Sequence, residues 1–374
     1  MSWWYRRLLR PVLFAQDSER IHNQTLRALA TVSRHPIACS LLASLFRPRD
    51  LPVELFGLKF PNPVGLAAGM DKQATAVPVW SALGFGFSEL GGVTWSAQLG
   101  NPLPRMFRAV QDQALINRMG FNNPGAEAMA SRLAKWHARR NWPKHPVGIN
   151  LGKSKDIPLT DAAQDYVRSL RVLWSLADFF VINVSSPNTP NLRQLQDKAA
   201  LDEILAALQE LNVDMAQAST PSRPPKPILV KVAPDLTFEA LDEILALAGP
   251  RNLAGIVATN TTISRPKASG AALQRVYAEA GGLSGRPLAA RSTQIIRHIY
   301  RQTGGKFPII GVGGIFNEAD AWEKIIAGAS LFQLYTGLVF EGPGVVGNIV
   351  RGLESRMKLH GFASLSQAVG SSSS

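Results

Sequence analysis

Eight short apolar runs recur along the chain, at residues 64–68, 85–93, 147–151, 179–184, 228–232, 255–259, 308–312 and 331–335. Each is apolar without alternation, the pattern of a strand covered on both faces, as in a parallel sheet. Helix-like stretches at 199–211, 238–247, 289–301 and 318–327 lie between them. Eight strand-then-helix units in this length predict an α/β chain closed into a (β/α)8 TIM barrel. An open doubly wound sheet is the alternative, and its usual glycine fingerprint after the first strand is absent. Mixed apolar and polar positions at 104–117 predict a small hairpin in an early loop.

The first 49 residues follow a different pattern. Asp17 or Ser18 can cap a helix running to about Val32, and Pro36 suits the first turn of a second helix ending near Phe46. Residues 37–46 are apolar on nearly every side, too short to span a bilayer yet too greasy for a free surface helix. They predict either a helix lying in a membrane interface or one packed on the main domain. The expected organisation is a helical segment at 1–49, a barrel at 50–360 and a tail at 361–374 whose serine-rich end is disordered.

Composition narrows the classes. The chain has 374 residues, 46% hydrophobic and 18% charged, enough to bury a full core. A lone cysteine, Cys39, excludes a disulfide framework and any multi-cysteine metal site. The net charge of +13 admits nucleic acid, anionic lipid or an anionic substrate as partner. Eight arginines and two acids in residues 1–49 supply a surplus of six charges. Trp3, Trp4 and Tyr5 stand beside Arg6 and Arg7, the pairing a membrane interface favours. The first ten residues lack the apolar core and cleavage site of a secretory signal.

In a TIM barrel the C-terminal strand tips carry the chemistry. Here the tips hold uncharged polar groups: Thr94, Asn150, the stretch Asn-Val-Ser-Ser-Pro-Asn-Thr-Pro at 183–190, and Thr259-Asn260-Thr261-Thr262. No histidine and no acid cluster with metal-ligand spacing occurs at these tips, so no metal site is expected. Gly311-Val-Gly-Gly-Ile315 and Tyr335-Thr-Gly337 suit a phosphate cradled by bare backbone, and 282–285 adds more exposed backbone. Lys231 sits in an otherwise apolar run, which calls for an anionic partner: a buried carboxylate, or a ligand that becomes negative.

Six co-linear motifs carry a resemblance: Gly-Leu-Ala-Ala-Gly-Met-Asp-Lys (65–72), Ile-Asn-Arg-Met-Gly-Phe-Asn-Asn (116–123), the stretch at 183–190, Ala-Thr-Asn-Thr-Thr (258–262), Gly-Gly-Leu-Ser-Gly-Arg-Pro-Leu (281–288) and Ile-Ile-Gly-Val-Gly-Gly-Ile (309–315). From about residue 50 to 350 the chain resembles the dihydroorotate dehydrogenases. The resemblance implies an FMN barrel, one FMN per chain, that oxidises (S)-dihydroorotate to orotate in de novo pyrimidine (UMP) synthesis. One class of that family is cytosolic and uses a cysteine base; the matching position here is Ser186. With the arginine-rich extension, this resembles the membrane-associated, quinone-reducing class. Residues 1–49 then become a membrane-surface and quinone-entry module. A peripheral protein on the cytoplasmic face of the bacterial inner membrane, monomeric and with no nucleic-acid partner, is expected. Another FMN barrel, a tRNA dihydrouridine synthase, would need a catalytic cysteine that the barrel lacks. A non-enzymatic basic scaffold would explain the charge but not the polar tips.

The resemblance also implies roles. Ser186 would take the C5 proton while hydride passes from C6 to flavin N5. Thr189 and a water would relay that proton, shielded by Phe121. Asn117, Asn183, Asn188, Asn260 and Thr261 would hold the pyrimidine and its carboxylate, with Arg118, Met119, Gly120 and Phe121 around it and Lys72 adding positive charge. The backbone of Ala68, Gly69, Met70 and Asp71, with Gly92, Asn150, Asn183, Lys231 and Thr259, would hold the flavin. Gly285, Gly314, Tyr335 and Thr336 would hold its phosphate end, and His22 and Arg105 would sit near the quinone channel. Where the family's second strand usually ends Gly-Thr-Val-Thr-Pro, this chain has Gly91-Gly92-Val93-Thr94-Trp95. A threonine side-chain contact to the flavin is therefore not expected here, and Trp95 is expected to reshape the neighbouring quinone channel.

Overall fold

A computed structural model describes residues 2–139 and 141–373. Numbered along the chain, the strands are β1 (Val53–Leu55), β2 (Leu58–Phe60), β3 (Val64–Leu66), β4 (Phe87–Val93), β5 (Met106–Ala109), β6 (Ala114–Asn117), β7 (Val147–Leu151), β8 (Phe179–Asn183), β9 (Ile228–Val232), β10 (Gly255–Ala258), β11 (Gly282–Gly285), β12 (Ile309–Val312) and β13 (Leu331–Leu334). Eight of them close a barrel in the order β3, β4, β7, β8, β9, β10, β12, β13, and every neighbouring pair is parallel. All eight apolar runs of the sequence became barrel strands. The four helix-like stretches became the helices Lys198–Ala218, Phe238–Leu245, Ala289–Gln302 and Glu318–Ala327.

Packing divides the barrel interior into two ends. At the N-terminal end Phe60, Phe87, Phe179, Val181, Leu229, Val257, Ile310 and Leu331 form one cluster, covered by Val53, Leu55, Phe56 and Leu58 of the β1–β2 hairpin. Gly148 matters here: a side chain at that position would run into the Phe179 ring. Toward the C-terminal end the buried interior turns polar, with Glu89, Asn150, Asn183, Lys231 and Gln333. Polar groups so deep must be paired with one another or with a ligand.

The predicted hairpin is β5–β6, and β11 joins it as a third antiparallel strand. Residues 282–285 pair with β6 along one edge only; Leu283 bonds Thr262 on the other, and Gly285 still lines the space at the strand tips. The register sets Asn117 opposite Gly282 and Met106.

In the N-terminal segment, Asp17 Oδ1 accepts the N–H groups of Glu19 (3.1 Å) and Arg20 (2.8 Å) and so caps the helix Ser18–Ser33. This helix meets Pro36–Phe46 at a bend of 110°. Leu26, Leu29, Val32, Leu42 and Phe46 pack on the barrel's core, while Ile37, Leu41 and Leu45 stay exposed, so the apolar helix both packs and presents a free face. No single described helix is long and apolar enough to cross a membrane. The first turns dock too: Tyr5 Oη donates to the Val339 carbonyl (2.8 Å) and Arg10 Nη1 to that of Phe340 (3.1 Å).

The tail departs from expectation. Ser372 donates its N–H to the Ile326 carbonyl (3.0 Å), Ser373 Oγ donates to Ala327 (3.1 Å), and Arg301 Nε donates to the Ser373 carbonyl (3.1 Å). The final carbonyls of the helix Glu318–Ala327 lack partners within their own helix, and serine hydroxyls and backbone N–H groups satisfy them. Ser374 lies outside the described residues.

Candidate active site

The C-terminal strand tips surround a cavity of about 1100 Å³, more than a small ring alone would fill. Nineteen of the residues singled out from the sequence line it: Ala68, Gly69, Lys72, Gly92, Asn117, Met119, Gly120, Phe121, Asn183, Ser186, Asn188, Lys231, Thr259, Asn260, Thr261, Gly285, Gly314, Tyr335 and Thr336. Phe121 holds a left-handed backbone (φ 52°), which sets its ring against Gly92 and Gly152. A Cβ at Gly92 would come within 2.6 Å of that ring, so the glycine that replaces the family's threonine fits this packing.

Five of the residues expected around the substrate, the flavin or the proton path fall elsewhere. The Asp71 carboxylate turns away to cap Thr75, Ala76 and the Trp80 indole (2.8–3.2 Å). Met70 lines a neighbouring apolar cavity instead. Arg118 reaches outward to Glu279 (2.6 Å). Asn150 lies beneath the cavity, bonded to Asn183 and Glu89. Thr189 is buried, and its Oγ1 has no hydrogen-bond partner. Trp95 offers its carbonyl to the Ala126 N–H (3.2 Å) and is absent from the apolar cavity's lining.

The segment after β8 brings Ser186 to the cavity, buried, with Oγ accepting the Asn188 N–H (3.3 Å). Tyr166 Oη steadies the strand tip by donating to the Asn183 carbonyl (3.0 Å). Arg193, which the sequence did not single out, clamps this segment. Its Nε donates to the Ser185 carbonyl (3.1 Å), Nη1 to Asp235 (2.8 Å) and Nη2 to the Thr261 carbonyl (3.0 Å). One guanidinium thus ties the Ser186 segment to the tips of β9 and β10. Two amide pairs complete the wall: Asn188 Nδ2 donates to Asn117 (3.2 Å), and Asn260 Nδ2 to Asn183 (3.3 Å).

Lys231 does have a carboxylate partner: Glu89, fully buried on β4, lies 3.5 Å from its Nζ. Glu89 and Gln333 were missed, although each is a polar intrusion in an apolar strand, the same signal that marked Lys231.

Two further cavities meet this one. The apolar cavity, about 1510 Å³, lies between the N-terminal helices and the barrel and includes His22, Leu26, Leu29, Met70 and Leu338. Met106, Leu115 and Tyr335 line both it and the active-site cavity. Burial pushes the Tyr335 hydroxyl well above its ordinary pKa. Arg105 does not line the apolar cavity. It pairs with Glu19 (2.7 Å) on a separate polar, basic cavity, whereas Arg108 lines the apolar one and stacks over Phe14 at 4.7 Å. Lys72 lies between the active-site and basic cavities, donating to Asn122 (3.0 Å), and burial lowers its pKa to about 8. Burial, helped by the Lys72 charge, lowers His22 to about 3 and keeps it neutral.

A flavin nucleotide fits this donor set. Gly285, Gly313 and Gly314 supply close backbone at one end, and Lys231 supplies one cation at the floor. Gln333 Oε1 is buried in the wall without a partner, as an acceptor awaiting a ligand N–H would be. The profile of the family described as "Dihydroorotate dehydrogenase" matches residues 50–357. The chain belongs to the dihydroorotate dehydrogenase family. Members of this family are flavin-dependent oxidoreductases. A relative from Nostoc punctiforme named dihydroorotate dehydrogenase (quinone) is 51% identical, covering 98% of this chain and 97% of its own. One of the same name from Gloeobacter violaceus is 52% identical, over 97% and 98%. The crystal structure of a ligand-free DHODH from Eimeria tenella superposes with a TM-score of 0.84 at 36% identity, covering 95% of this chain and 99% of that one.

Proposed function

We propose that this dihydroorotate dehydrogenase oxidises dihydroorotate to orotate, carries the electrons on FMN and delivers them to a membrane quinone. The observation that carries the quinone assignment is the shared wall. Met106, Leu115 and Tyr335 face the polar ligand cavity on one side and an apolar cavity under the N-terminal helices on the other. An acceptor entering by that second cavity is apolar and needs no route through the substrate side.

Bound FMN supplies the hydride acceptor. The chain's residues do the rest. Asn117, Asn188, Asn260 and Thr261 orient the pyrimidine ring, and Lys72 holds its carboxylate. Ser186 Oγ takes the C5 proton; a hydroxyl is a weak base, so it needs an onward path. Thr189 Oγ1, buried with no partner, supplies that step, and the Phe121 ring excludes bulk water. Lys231 places an ammonium where negative charge develops as the ring system is reduced. The lone cysteine lies in the helix Pro36–Phe46, outside the barrel, which supports serine as the base.

The exposed apolar side chains Trp3, Trp4, Leu8, Val12, Ile37, Leu41 and Leu45 form the membrane-facing surface, with arginines at headgroup level. This supports a peripheral association with the membrane surface. A steady-state assay with dihydroorotate and quinone, fumarate or NAD as rival acceptors tests the reading. Turnover with quinone alone is expected; preference for NAD or fumarate would overturn it.

A further inference from the structure

Beneath the active-site cavity lies a side chain that the mechanism does not use. Glu89 is fully buried on β4. Its Oε1 accepts Asn150 Nδ2 at 2.6 Å, and its Oε2 accepts Gln333 Nε2 at 2.5 Å. A carboxylate only accepts hydrogen bonds, whereas an amide has one donating and one accepting end. Glu89 therefore dictates which end of each amide faces it. Asn150 turns its nitrogen toward Glu89, so its Oδ1 is left to accept Asn183 Nδ2 at 2.9 Å. Gln333 also turns its nitrogen toward Glu89, and its Oε1 is left buried in the cavity wall with no partner. A buried acceptor left unpaired is costly unless a ligand donor meets it.

We propose that Glu89 is a positioning residue that fixes the hydrogen-bonding sense of the cavity floor, so that Gln333 presents an oxygen to the ring N–H of the bound isoalloxazine. The inference rests on the FMN reading above. The flavin rather than the pyrimidine is assigned to this oxygen by placement. Gln333 lies on β13, two residues before Tyr335 and next in the barrel to β12 with its glycine-rich tip, while the pyrimidine-side asparagines come from β6, the β8 segment and β10. The pairing with Lys231, at 3.5 Å, is the looser of the contacts made by Glu89. Charge neutralisation is thus secondary to setting the amides.

The test is FMN binding to deflavinated protein, read by quenching of flavin fluorescence. Wild-type protein that binds no FMN overturns the FMN reading itself. With wild-type binding established, Glu89→Gln is expected to weaken FMN binding at least tenfold, because the new amide can donate and lets Gln333 turn over. Gln333→Met is expected to lose a similar factor. The double variant E89Q/Q333M should lose no more than the weaker-binding single variant, because both act through one oxygen. E89Q in a Lys231→Met background should lose its full factor again. FMN methylated at its ring N–H should bind wild-type protein at least tenfold more weakly than FMN, and Q333M should discriminate far less. Unchanged affinity of E89Q overturns the proposal. So does full recovery of affinity when Lys231→Met is added to E89Q, which would make Glu89 only a counter-charge. Should E89Q fail to fold, Q333M decides: wild-type affinity with undiminished discrimination overturns the proposal.

Discussion

Arg193 Nη1 lies 2.8 Å from Asp235 Oδ2, so the segment that carries Ser186 is clamped to the tip of β9. The same guanidinium reaches the Ser185 and Thr261 carbonyls, one residue from Ser186 and within the pyrimidine-binding tip. Catalysis depends on placing the base within a fraction of an ångström, and loosening it costs on the order of 10²-fold. Arg193→Ala is therefore expected to slow flavin reduction by dihydroorotate by about 10²-fold while FMN stays bound. Arg193→Lys should recover little, since an ammonium cannot reproduce the three-way fork. Stopped-flow bleaching of the flavin reads both, and wild-type rates in R193A would remove the clamp from the mechanism.

Ser186→Ala should keep FMN and lose about 10²–10⁴-fold in flavin reduction, the range for removing a general base. Thr189→Val should lose less and leave dihydroorotate affinity unchanged, because Thr189 acts on the proton and not on the ring. Spectra and pre-steady-state rates of the two variants check this. A Ser186→Ala enzyme with undiminished turnover would show that another group takes the proton.

Lys72 sets a pH dependence. Burial lowers its pKa to about 8, so the ammonium is present below that pH and lost as pH rises through it. Attraction for the substrate carboxylate falls with it. The kcat/KM for dihydroorotate should decline above pH about 8 in wild type. In Lys72→Met it should be low and flat over the same range. A Lys72→Met profile that still declines there would assign the titration to another group.

Ile37 and Leu41 stand on one face of the helix Pro36–Phe46, 79% and 63% exposed. Fully burying one such side chain is worth about 1.5–3 kcal/mol. The double substitution Ile37→Glu and Leu41→Glu should cut co-sedimentation with anionic vesicles by at least about tenfold. Flavin reduction by dihydroorotate should be unchanged and turnover with a long-chain quinone should fall. Equal vesicle binding would remove this face from the membrane contact.

The barrel was legible because each strand buried on both faces leaves an unbroken apolar run, and eight such runs admit few other arrangements. Ser186 and Asn260 were legible for the converse reason, polar groups crowded at barrel strand tips, whereas Asn117, on the β5–β6 hairpin, was singled out only by the family resemblance. What escaped depends on closure of the barrel. Arg193 contacts residues 42 and 68 positions away, and no local spacing announces that. Glu89 was legible in principle, as the acid that Lys231 required, but a search for acids at metal-ligand spacing passes over a single carboxylate. Arg105 and Arg108 show a limit of reading by proximity: residues three apart along an extended chain face opposite sides, so one lines the basic cavity and the other the apolar one. The serine tail misled because composition alone says nothing of the helix-end carbonyls it meets.

The central claim is a two-stage electron path, from dihydroorotate to flavin on the polar side and from flavin to quinone through the wall of Met106, Leu115 and Tyr335. An anaerobic stopped-flow experiment on the flavin-loaded enzyme tests both stages in one trace. Dihydroorotate should bleach the flavin absorbance, and a quinone mixed in afterwards should restore it, while NAD or fumarate should not. A flavin that dihydroorotate leaves oxidised, or one that quinone cannot reoxidise, would contradict the account.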